Sequence, residues 1–177
     1  MLSRQSALAE AKPFSGAGVA LGEVRDFTLT QTATFSSDGE LTIASIAGPL
    51  PPHADIAVVS RGRVIYRTGP LQFWFVGPDG DDLAWRLADL CVVTPLSHSR
   101  TRIYIEGPVA RDILAKGIAI DLHADAFGPG KFAMTGLHHT PILLHCVAPL
   151  RLEIYAMRTF AGNIWEWLTD AALEYAA

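Results

Sequence analysis

Alternating and continuous apolar runs divide the first half of the chain into short predicted strands. Residues 27–35 are rich in threonine and alternate, which is typical of a strand. The Ser-Ser-Asp-Gly that follows is a turn signal, so residues 40–46 are predicted to be the partner strand of a hairpin. Residues 56–68 hold two β-branched runs around Arg61-Gly62 and predict a second hairpin or a bulged strand. Residues 71–76 are nearly all apolar, as expected of a strand buried on both faces.

Helical spacing first appears after the acidic run at residues 77–82, which would favour a helix N-terminus. Leu83, Leu87 and Leu90 fall at i, i+4 and i+7 and would share one face of that helix. An amphipathic helix is also predicted at the C-terminus, over residues 158–177. Its apolar face would consist of Phe160, Ile164, Trp167, Leu168 and Ala171.

Residues 97–117, SHSRTRIYIEGPVARDILAKG, pass directly from a strand pattern to a helix pattern. In residues 100–106 the isoleucines alternate with polar residues and would face inward. Pro108 suits the first position of a helix, where its missing N–H is not needed. Gly117 stands where a left-handed C-terminal cap is expected.

Gly107 could be a corner of the fold or part of a phosphate-binding loop. Such a loop needs several glycines whose N–H groups converge on the anion, and Gly107 is alone. Pro108 also removes one of the N–H donors that a phosphate would use. We therefore predict a corner, which reports the fold rather than catalysis.

Three further strands are predicted over residues 131–137, 140–147 and 150–156. The order of elements is strands, then β-α-β-α, then three strands and a helix. This order predicts an α+β fold in which helices pack against a mostly antiparallel sheet. Residues 1–20 show no clear period and are expected to form an irregular arm. The whole chain, 1–177, is predicted to be one domain.

Composition narrows the possible partners and the compartment. Half of the residues are hydrophobic, 18% are charged and the net charge is -4, with no cluster of lysine or arginine. Nucleic acid and acidic membrane surfaces are therefore not expected as partners. The apolar runs are too short to span a membrane and no targeting segment is evident, so a cytoplasmic protein is predicted. The apolar surplus favours a partner-facing patch, and Cys91 and Cys146 are expected to be buried thiols.

Asp121, His123 and Asp125 alternate and would share a face if extended, as the ligands of a metal site could. The other possibility is a hydrogen-bonded loop corner, and the spacing lacks the paired ligands of structural zinc sites. His138 and His139 are adjacent and would point to opposite faces of a strand. No metal site is predicted, and Asp121 and His123 are candidate interface residues.

Arg100 and Arg102 would lie on one strand face, as a solvated or interface ladder with Glu106 or as the wall of a pocket for an anion or carboxylate. Trp165 and Trp167 point about 200° apart on a helix. Trp167 shares the buried stripe, so Trp165 faces either a second packing surface or another subunit. No dinucleotide fingerprint or nucleophile elbow is present, so no catalytic or cofactor-binding residue is predicted.

Short motifs in the second half of the chain form a specific combination. They are Ser97-His98, Arg100-Thr101, residues 107–117, residues 121–123, Ala126-Phe127, Pro129-Gly130 and Thr135. With the N-terminal run Arg4-Gln5-Ser6-Ala7-Leu8 and the tail around Arg158 and Trp165, this combination resembles the gamma subunit of heterotetrameric sarcosine oxidase. Ile118-Ala119 and Ala124-Asp125 depart from that family's usual Cys-Pro and Pro-Arg.

This resemblance implies a minimal form of the fold of the folate-binding T-protein of glycine cleavage, an aminomethyltransferase. It implies a role in structure and assembly, with alpha, beta and delta subunits as partners in a complex that oxidatively demethylates sarcosine or a related N-methyl amine. FAD, FMN, NAD, folate and zinc would lie in those partner subunits and none in this chain. The candidate interface residues are Arg4, Arg100, Arg102, Asp121, His123, Arg158 and Trp165.

Two other functions stay open on the sequence. The first is a stand-alone folate or small-amine binding module of the aminomethyltransferase fold. It would need a pterin pocket with a carboxylate, for which Asp26, Glu106 and Asp121 are the nearest candidates. The second is a homo-oligomeric structural protein.

Overall fold

The computed structural model describes residues 5–16 and 18–175. Its helices are α1 (Ser37–Ala47), α2 (Leu83–Leu87), α3 (Ala110–Ala115) and α4 (Ala161–Ala172), with 3-10 turns at Arg158–Phe160 and Leu173–Tyr175. Its strands are β1 (Phe14–Gly16), β2 (Val19–Val24), β3 (Phe27–Ala33), β4 (Val58–Ser60), β5 (Arg63–Gly69), β6 (Gln72–Pro78), β7 (Val92–Pro95), β8 (Arg100–Glu106), β9 (Phe132–Leu137), β10 (Thr140–Ala148) and β11 (Arg151–Met157).

The chain divides into two compact units. Unit 1 combines the residues up to Arg25 with those from His98 onward, and unit 2 is Asp26–Ser97. Each unit has its own antiparallel sheet and its own pair of helices. The division does not decide whether residues 1–177 behave as a single domain, which stays a prediction.

Unit 1 is built on a six-stranded sheet in the order β1-β2-β8-β11-β10-β9. One face carries a continuous apolar set from the central strands, including Ile103, Ile105 and Ile154, which are fully buried. Helices α3 and α4 contribute side chains such as Leu114 and Leu168 to the same cluster. Burial of this face against the helices is the main source of stability in the unit.

Unit 2 is built on a five-stranded sheet in the order β4-β5-β6-β3-β7. Ile65, Phe73 and Phe75 of this sheet pack against Ile43 of α1 and Leu87 of α2. The central strand β6 is buried on both faces from Phe73 to Gly77, as the continuous apolar run predicted. The α+β class with mostly antiparallel sheets is confirmed.

The hairpin predicted for residues 27–46 is wrong, because its second half is helix α1. Ser36 caps this helix by accepting a hydrogen bond from the Gly39 N–H, and Asp38 lies in the first turn, where negative charge is favourable. Ile43 and Ala47, four residues apart, are its buried positions. Strand β3 pairs instead with β6 and β7.

The irregular arm predicted for residues 1–20 is wrong in part. Strand β1 pairs with β2, and β2 pairs with β8. Residues before β1 also pack on the unit, since Leu8 is 4% exposed and belongs to the unit 1 core. The segment lacked a visible period because its strands are short, with three residues in β1 and six in β2.

Gly107 is a corner, as predicted. Its φ is +138°, and an added Cβ would lie 2.0 Å from the Gly18 carbonyl oxygen, so only glycine fits here. Its N–H donates to the Leu150 carbonyl at 2.8 Å, which ties the corner to the turn between β10 and β11.

Two details of helix α3 differ from the prediction. Pro108 precedes the helix, inside a turn closed by the Ala110 N–H and the Gly107 carbonyl at 3.1 Å. Gly117 has no left-handed conformation. Its role is close packing, because a Cβ there would lie 2.8 Å from Leu137 and 2.9 Å from Trp167.

Candidate functional site: the polar row of the six-stranded sheet

Polar and aromatic side chains alternate with the core-facing isoleucines of unit 1 and occupy the second face of the sheet. Strand register places Glu153 between Tyr104 and His145, and places Arg102 opposite Tyr155. We call this set the polar row. It consists of Arg102, Tyr104, Glu106, His145, Arg151, Glu153 and Tyr155.

Glu153 is the centre of the polar row and its side chain is 2% exposed. Its Oε2 accepts from Arg102 Nε at 2.8 Å and lies 2.7 Å from Arg102 Nη2. Its Oε1 accepts from Arg151 Nη2 at 3.3 Å. A carboxylate this buried is stable only when it is paired and hydrogen-bonded, and here two guanidinium groups satisfy it.

Arg151 extends the row to the edge of the sheet. Its Nη1 donates to Glu106 Oε2 at 2.9 Å, and its guanidinium lies 4.4 Å from the centroid of the Tyr104 ring. The same ring covers Gly22, where an added Cβ would lie 2.4 Å from Tyr104 Cε1. Glycine at position 22 therefore makes room for the aromatic ring that supports Arg151.

His145 completes the row as a neutral side chain. It is 5% exposed, and burial lowers its pKa from 6.5 to about 4, against the opposing effect of the nearby Glu153 carboxylate. The row then balances two arginines against two glutamates. This arrangement holds strands together and leaves Arg102 engaged with Glu153 rather than facing an anion pocket.

Arg100 and Arg158 meet at Ser99. The Ser99 carbonyl accepts from the Arg158 N–H at 2.9 Å and from Arg100 Nη1 at 3.3 Å. Both arginines are partly buried, and burial lowers the pKa of Arg100. Their role at an interface stays a prediction, as does that of Arg102.

Asp121 and His123 form an exposed loop corner. The His123 N–H donates to Asp121 Oδ1 at 2.8 Å, and the Asp125 N–H donates to His123 Nδ1 at 3.3 Å. The His123 side chain is 72% exposed. Within residues 5–16 and 18–175, no group of three or more histidine, cysteine or acidic side chains could hold a metal ion.

Arg111 is a structural residue that the sequence analysis missed. Its Nη1 donates to the Leu122 and Phe127 carbonyls at 2.6 and 2.9 Å, so it anchors the loop that carries Asp121 and His123. Its Nη2 lies 3.3 Å from the sulfur of Cys146, a thiol whose pKa is raised by burial. The position of Arg111 on an amphipathic helix gave no signal of this role.

Of the two surroundings predicted for Trp165, the structure shows a second packing surface within unit 1. Trp165 is 9% exposed and belongs to the unit 1 core. The N-terminal segment is the reason, because Leu8 and Ala11 line a cleft of about 250 Å³ together with Trp165. Trp167 is partly buried and packs against the same core. Its ring meets the His138 ring edge-on, with 4.9 Å between the ring centroids. Arg4 lies outside the described residues.

Unit 2 holds its own buried ion pair. Arg63 Nε and Nη2 donate to the two carboxylate oxygens of Asp81 at 2.5 Å, and Asp81 also accepts from the Leu83 N–H at 3.0 Å. Burial alone would raise the pKa of Asp81, but the hydrogen bonds from Arg63 and Leu83 outweigh it and lower the pKa. The pair joins β5 to the start of α2.

Glu153 was missed in the sequence analysis, although the sequence contains a signal for it. A single acid inside the apolar strand pattern of residues 150–156 predicts a buried, paired carboxylate. Its partners could not be read from the sequence, because they depend on the register of β8 and β11.

None of the helices in the described part of the chain is long and apolar enough to cross a membrane.

Solved structures show where this fold recurs. A chain of the heterotetrameric sarcosine oxidase from Corynebacterium sp. U-96, in complex with pyrrole 2-carboxylate, matches with a TM-score of 0.90 and 26% identity, over 98% of this chain and 97% of that one. The glycine cleavage aminomethyltransferase T of Bartonella henselae matches with a TM-score of 0.57 and 15% identity, over 86% of this chain and 46% of that one. The predicted T-protein-like fold is thereby confirmed.

Sequence comparison agrees with the structural match. No family model matches the chain. The sarcosine oxidase subunit gamma of Corynebacterium sp. (strain P-1) is 30% identical over 148 residues, which are 80% of this chain and 73% of that protein. The subunit gamma of Arthrobacter sp is 28% identical over the same shares. This chain belongs to the family of sarcosine oxidase gamma subunits.

Proposed function

We propose that this chain is the structural and assembly subunit, of gamma type, in a sarcosine-oxidase-like complex. The complex would oxidatively demethylate sarcosine or a related N-methyl amine. The observation that carries the proposal is the structural match to a chain of the heterotetrameric enzyme, which extends over nearly the whole of both chains at 26% identity. Family membership from the curated relatives points the same way.

The chemistry of the polar row supports a structural role. Acid–base catalysis needs a group that can reach a substrate with a pKa near the working pH. Glu153 is enclosed by Arg102 and Arg151, and His145 is buried with a pKa of about 4. Both side chains lie on the paired strands β8, β10 and β11 and contribute to the contacts between them. The isolated chain is therefore expected to have no oxidase activity.

The same proposal states which subunits bind the cofactors and in which compartment the complex works. FAD, FMN, NAD, folate and zinc would be bound by the alpha, beta and delta subunits, and the whole complex would serve sarcosine catabolism and one-carbon metabolism in the cytoplasm. Neither nucleic acid nor membrane would be a partner.

Purification of the chain in two forms tests this proposal. Expressed alone, it should be colourless and produce no hydrogen peroxide from sarcosine. Purified through a tag from its native host, it should bring flavin-carrying subunits in fixed ratio and show sarcosine-dependent flavin bleaching. A tagged chain that recovers no flavoprotein, or an isolated chain with stoichiometric flavin, would contradict the proposal.

The folate-module alternative is tested by calorimetric titration of the isolated chain with tetrahydrofolate. Of its candidate carboxylates, Asp26 belongs to unit 2, and Glu106 and Asp121 belong to unit 1. Glu106 is also paired with Arg151, and Asp121 accepts from the His123 N–H. We expect no saturable binding.

A further inference from the structure

Unit 2 exposes large apolar side chains on its helical layer. Phe35 is 89% exposed, Leu41 70%, Trp85 82% and Leu90 47%. All four lie on α1 and α2 or within three residues of their ends, and these two helices contact each other. We call this set the apolar helical face. Large exposed apolar groups that cluster in this way mark interaction sites.

Helix geometry shows that these side chains are directed away from the unit's own core. Trp85 lies about 200° around the helix from both Leu83 and Leu87, at roughly 100° per residue, and those two leucines are buried. Leu41 is likewise about 200° from the buried Ile43. Folding of unit 2 therefore uses the inner faces of α1 and α2 and leaves the outer faces exposed.

The charges around the apolar helical face are mostly negative. Asp38, Asp82 and Asp89 are exposed on or beside the same helices, against two exposed arginines, Arg86 and Arg61. Arg61 is bound to the end of α1, where it donates to the Ser45 and Ile46 carbonyls. Unit 2 as a whole contains eight acidic residues and four arginines, so the entire net charge of -4 belongs to it. A complementary surface would present an apolar recess with lysine or arginine at its rim.

We propose that the apolar helical face is a docking site for one of the other subunits of the complex, at a surface with an apolar recess rimmed by basic side chains. This inference rests on the proposed function and specifies where assembly occurs. Trp85 is the central anchor, because buried tryptophan contributes strongly to binding at protein interfaces. A second copy of this chain is disfavoured, since it would bring three further carboxylates against the same rim.

The test compares variants of the full chain, each tagged and expressed in the native host in place of the wild type. Leu41→Ser with Trp85→Ser removes the apolar anchors. Val59→Ser is the matched control. Val59 is 76% exposed and belongs to β4, at the opposite edge of the unit 2 sheet from β7. Val58 pairs with the core residue Ile65 and therefore lies on the face of the sheet that packs against the helices. Val59 is the next residue in the strand, so it points to the opposite face.

The double variant should recover at least about tenfold less flavin-carrying subunit per tagged chain than the wild type, as expected when hot-spot side chains are removed. Val59→Ser should recover the wild-type amount. Asp38→Lys with Asp89→Lys should weaken recovery by a smaller factor and reduce its dependence on salt. Circular dichroism and urea midpoints of the isolated variants establish that each one is folded.

The outcomes separate the two proposals. If the wild type recovers flavoprotein subunits and the folded double variant recovers equal amounts, the docking site is wrong while the proposed function stands. The docking site is also wrong if Val59→Ser loses the partner as fully as the double variant, or if Trp85→Ser abolishes self-association of the isolated chain seen by sedimentation. If the wild type itself recovers no flavoprotein, the proposed function fails and this inference fails with it.

Discussion

Unit 1 and unit 2 share an antiparallel sheet with two helices, but they treat charge and apolar surface differently. Unit 1 has ten acidic and ten basic residues, and its buried charges are paired along the polar row. Unit 2 carries the whole net charge of -4 and exposes Phe35, Leu41 and Trp85 on its helices. Unit 1 balances its charges, whereas unit 2 is net negative and carries the two most exposed aromatic side chains of the described residues, Phe35 and Trp85.

This difference matches the position of the family motifs. The motifs that resemble sarcosine oxidase gamma subunits fall mostly in unit 1, at the Gly107 corner and in the helices and strands that follow it. These residues maintain the architecture. The surface we assign to assembly lies in unit 2, where the sequence resemblance was thin. On our proposal, the family motifs and the docking site therefore lie mostly in different parts of the chain.

The largest effect is expected when the charge balance of the polar row in unit 1 is broken. Glu153→Gln leaves Arg102 and Arg151 without their shared carboxylate on a buried face, and should cost about 3–5 kcal/mol in the free energy of unfolding. The control Glu106→Gln alters a side chain that is 49% exposed and should cost less than about 1 kcal/mol. Urea unfolding of both variants measures the difference. Equal losses would show that the row is not an internally balanced unit.

Stability should depend on pH through His145. Burial lowers the pKa of His145 to about 4 in the folded chain, against about 6.5 when unfolded. Below pH 6.5 the unfolded chain therefore binds a proton that the folded chain does not. This contribution to stability is lost as the pH falls from about 6.5 to about 4, by about 3 kcal/mol in total.

His145→Gln should remove that component, so its unfolding free energy should fall less steeply between pH 7 and pH 4 than that of the wild type. His53→Gln is the control, because it removes an imidazole at an exposed position of unit 2. Parallel pH profiles for the wild type and His145→Gln would show that His145 is not held neutral by burial.

A smaller effect is expected at the glycine beneath Tyr104. Gly22→Ala places a methyl group against the ring and should cost about 1–3 kcal/mol, because the ring is also held by Arg151. Gly162→Ala is the contrasting variant, since nothing lies within 4 Å of its added Cβ inside α4. It should raise stability by about 0.5–1 kcal/mol. A thermal unfolding series that ranks the two in the opposite order would argue against this packing.

The smallest effect on stability is expected for an exposed apolar side chain of unit 2. Trp85→Ser should change the free energy of unfolding of the isolated chain by no more than about 0.5 kcal/mol, because the side chain is 82% exposed. A loss above about 1.5 kcal/mol would mean that Trp85 stabilises the chain itself. The apolar helical face would then have a role in folding rather than in docking.

Much of the fold followed from local pattern, and the failures have identifiable physical causes. Strand β8, the Gly107 corner and the strands β9 to β11 were predicted because alternation and breaks were clear. Helix α1 was missed because Asp38-Gly39 is a strong hairpin signal and several residues after it are β-branched. The helix is stabilised by the Ser36 cap and by the burial of Ile43 and Ala47. This burial depends on tertiary packing, which the local sequence pattern does not show.

The candidate site was less predictable than the fold. Arg102 was selected from its strand face, but its partner Glu153 is 51 residues away and only strand register brings them together. For Trp165 the sequence left a second packing surface and another subunit as alternatives, because helical periodicity does not reveal that residues such as Leu8 cover that side. Exposure of Trp85 was likewise hidden, since the sequence does not show what remains uncovered after folding.

Native mass spectrometry tests the central claim most directly, by measuring this chain alone and the assembly purified through it. The account predicts a bare chain at its own mass of 19.1 kDa without flavin or folate, and an assembly in which it accompanies larger flavin-carrying subunits in fixed ratio. A stoichiometric flavin or folate on the isolated chain, or recovery of the chain with no flavoprotein subunit, would contradict it.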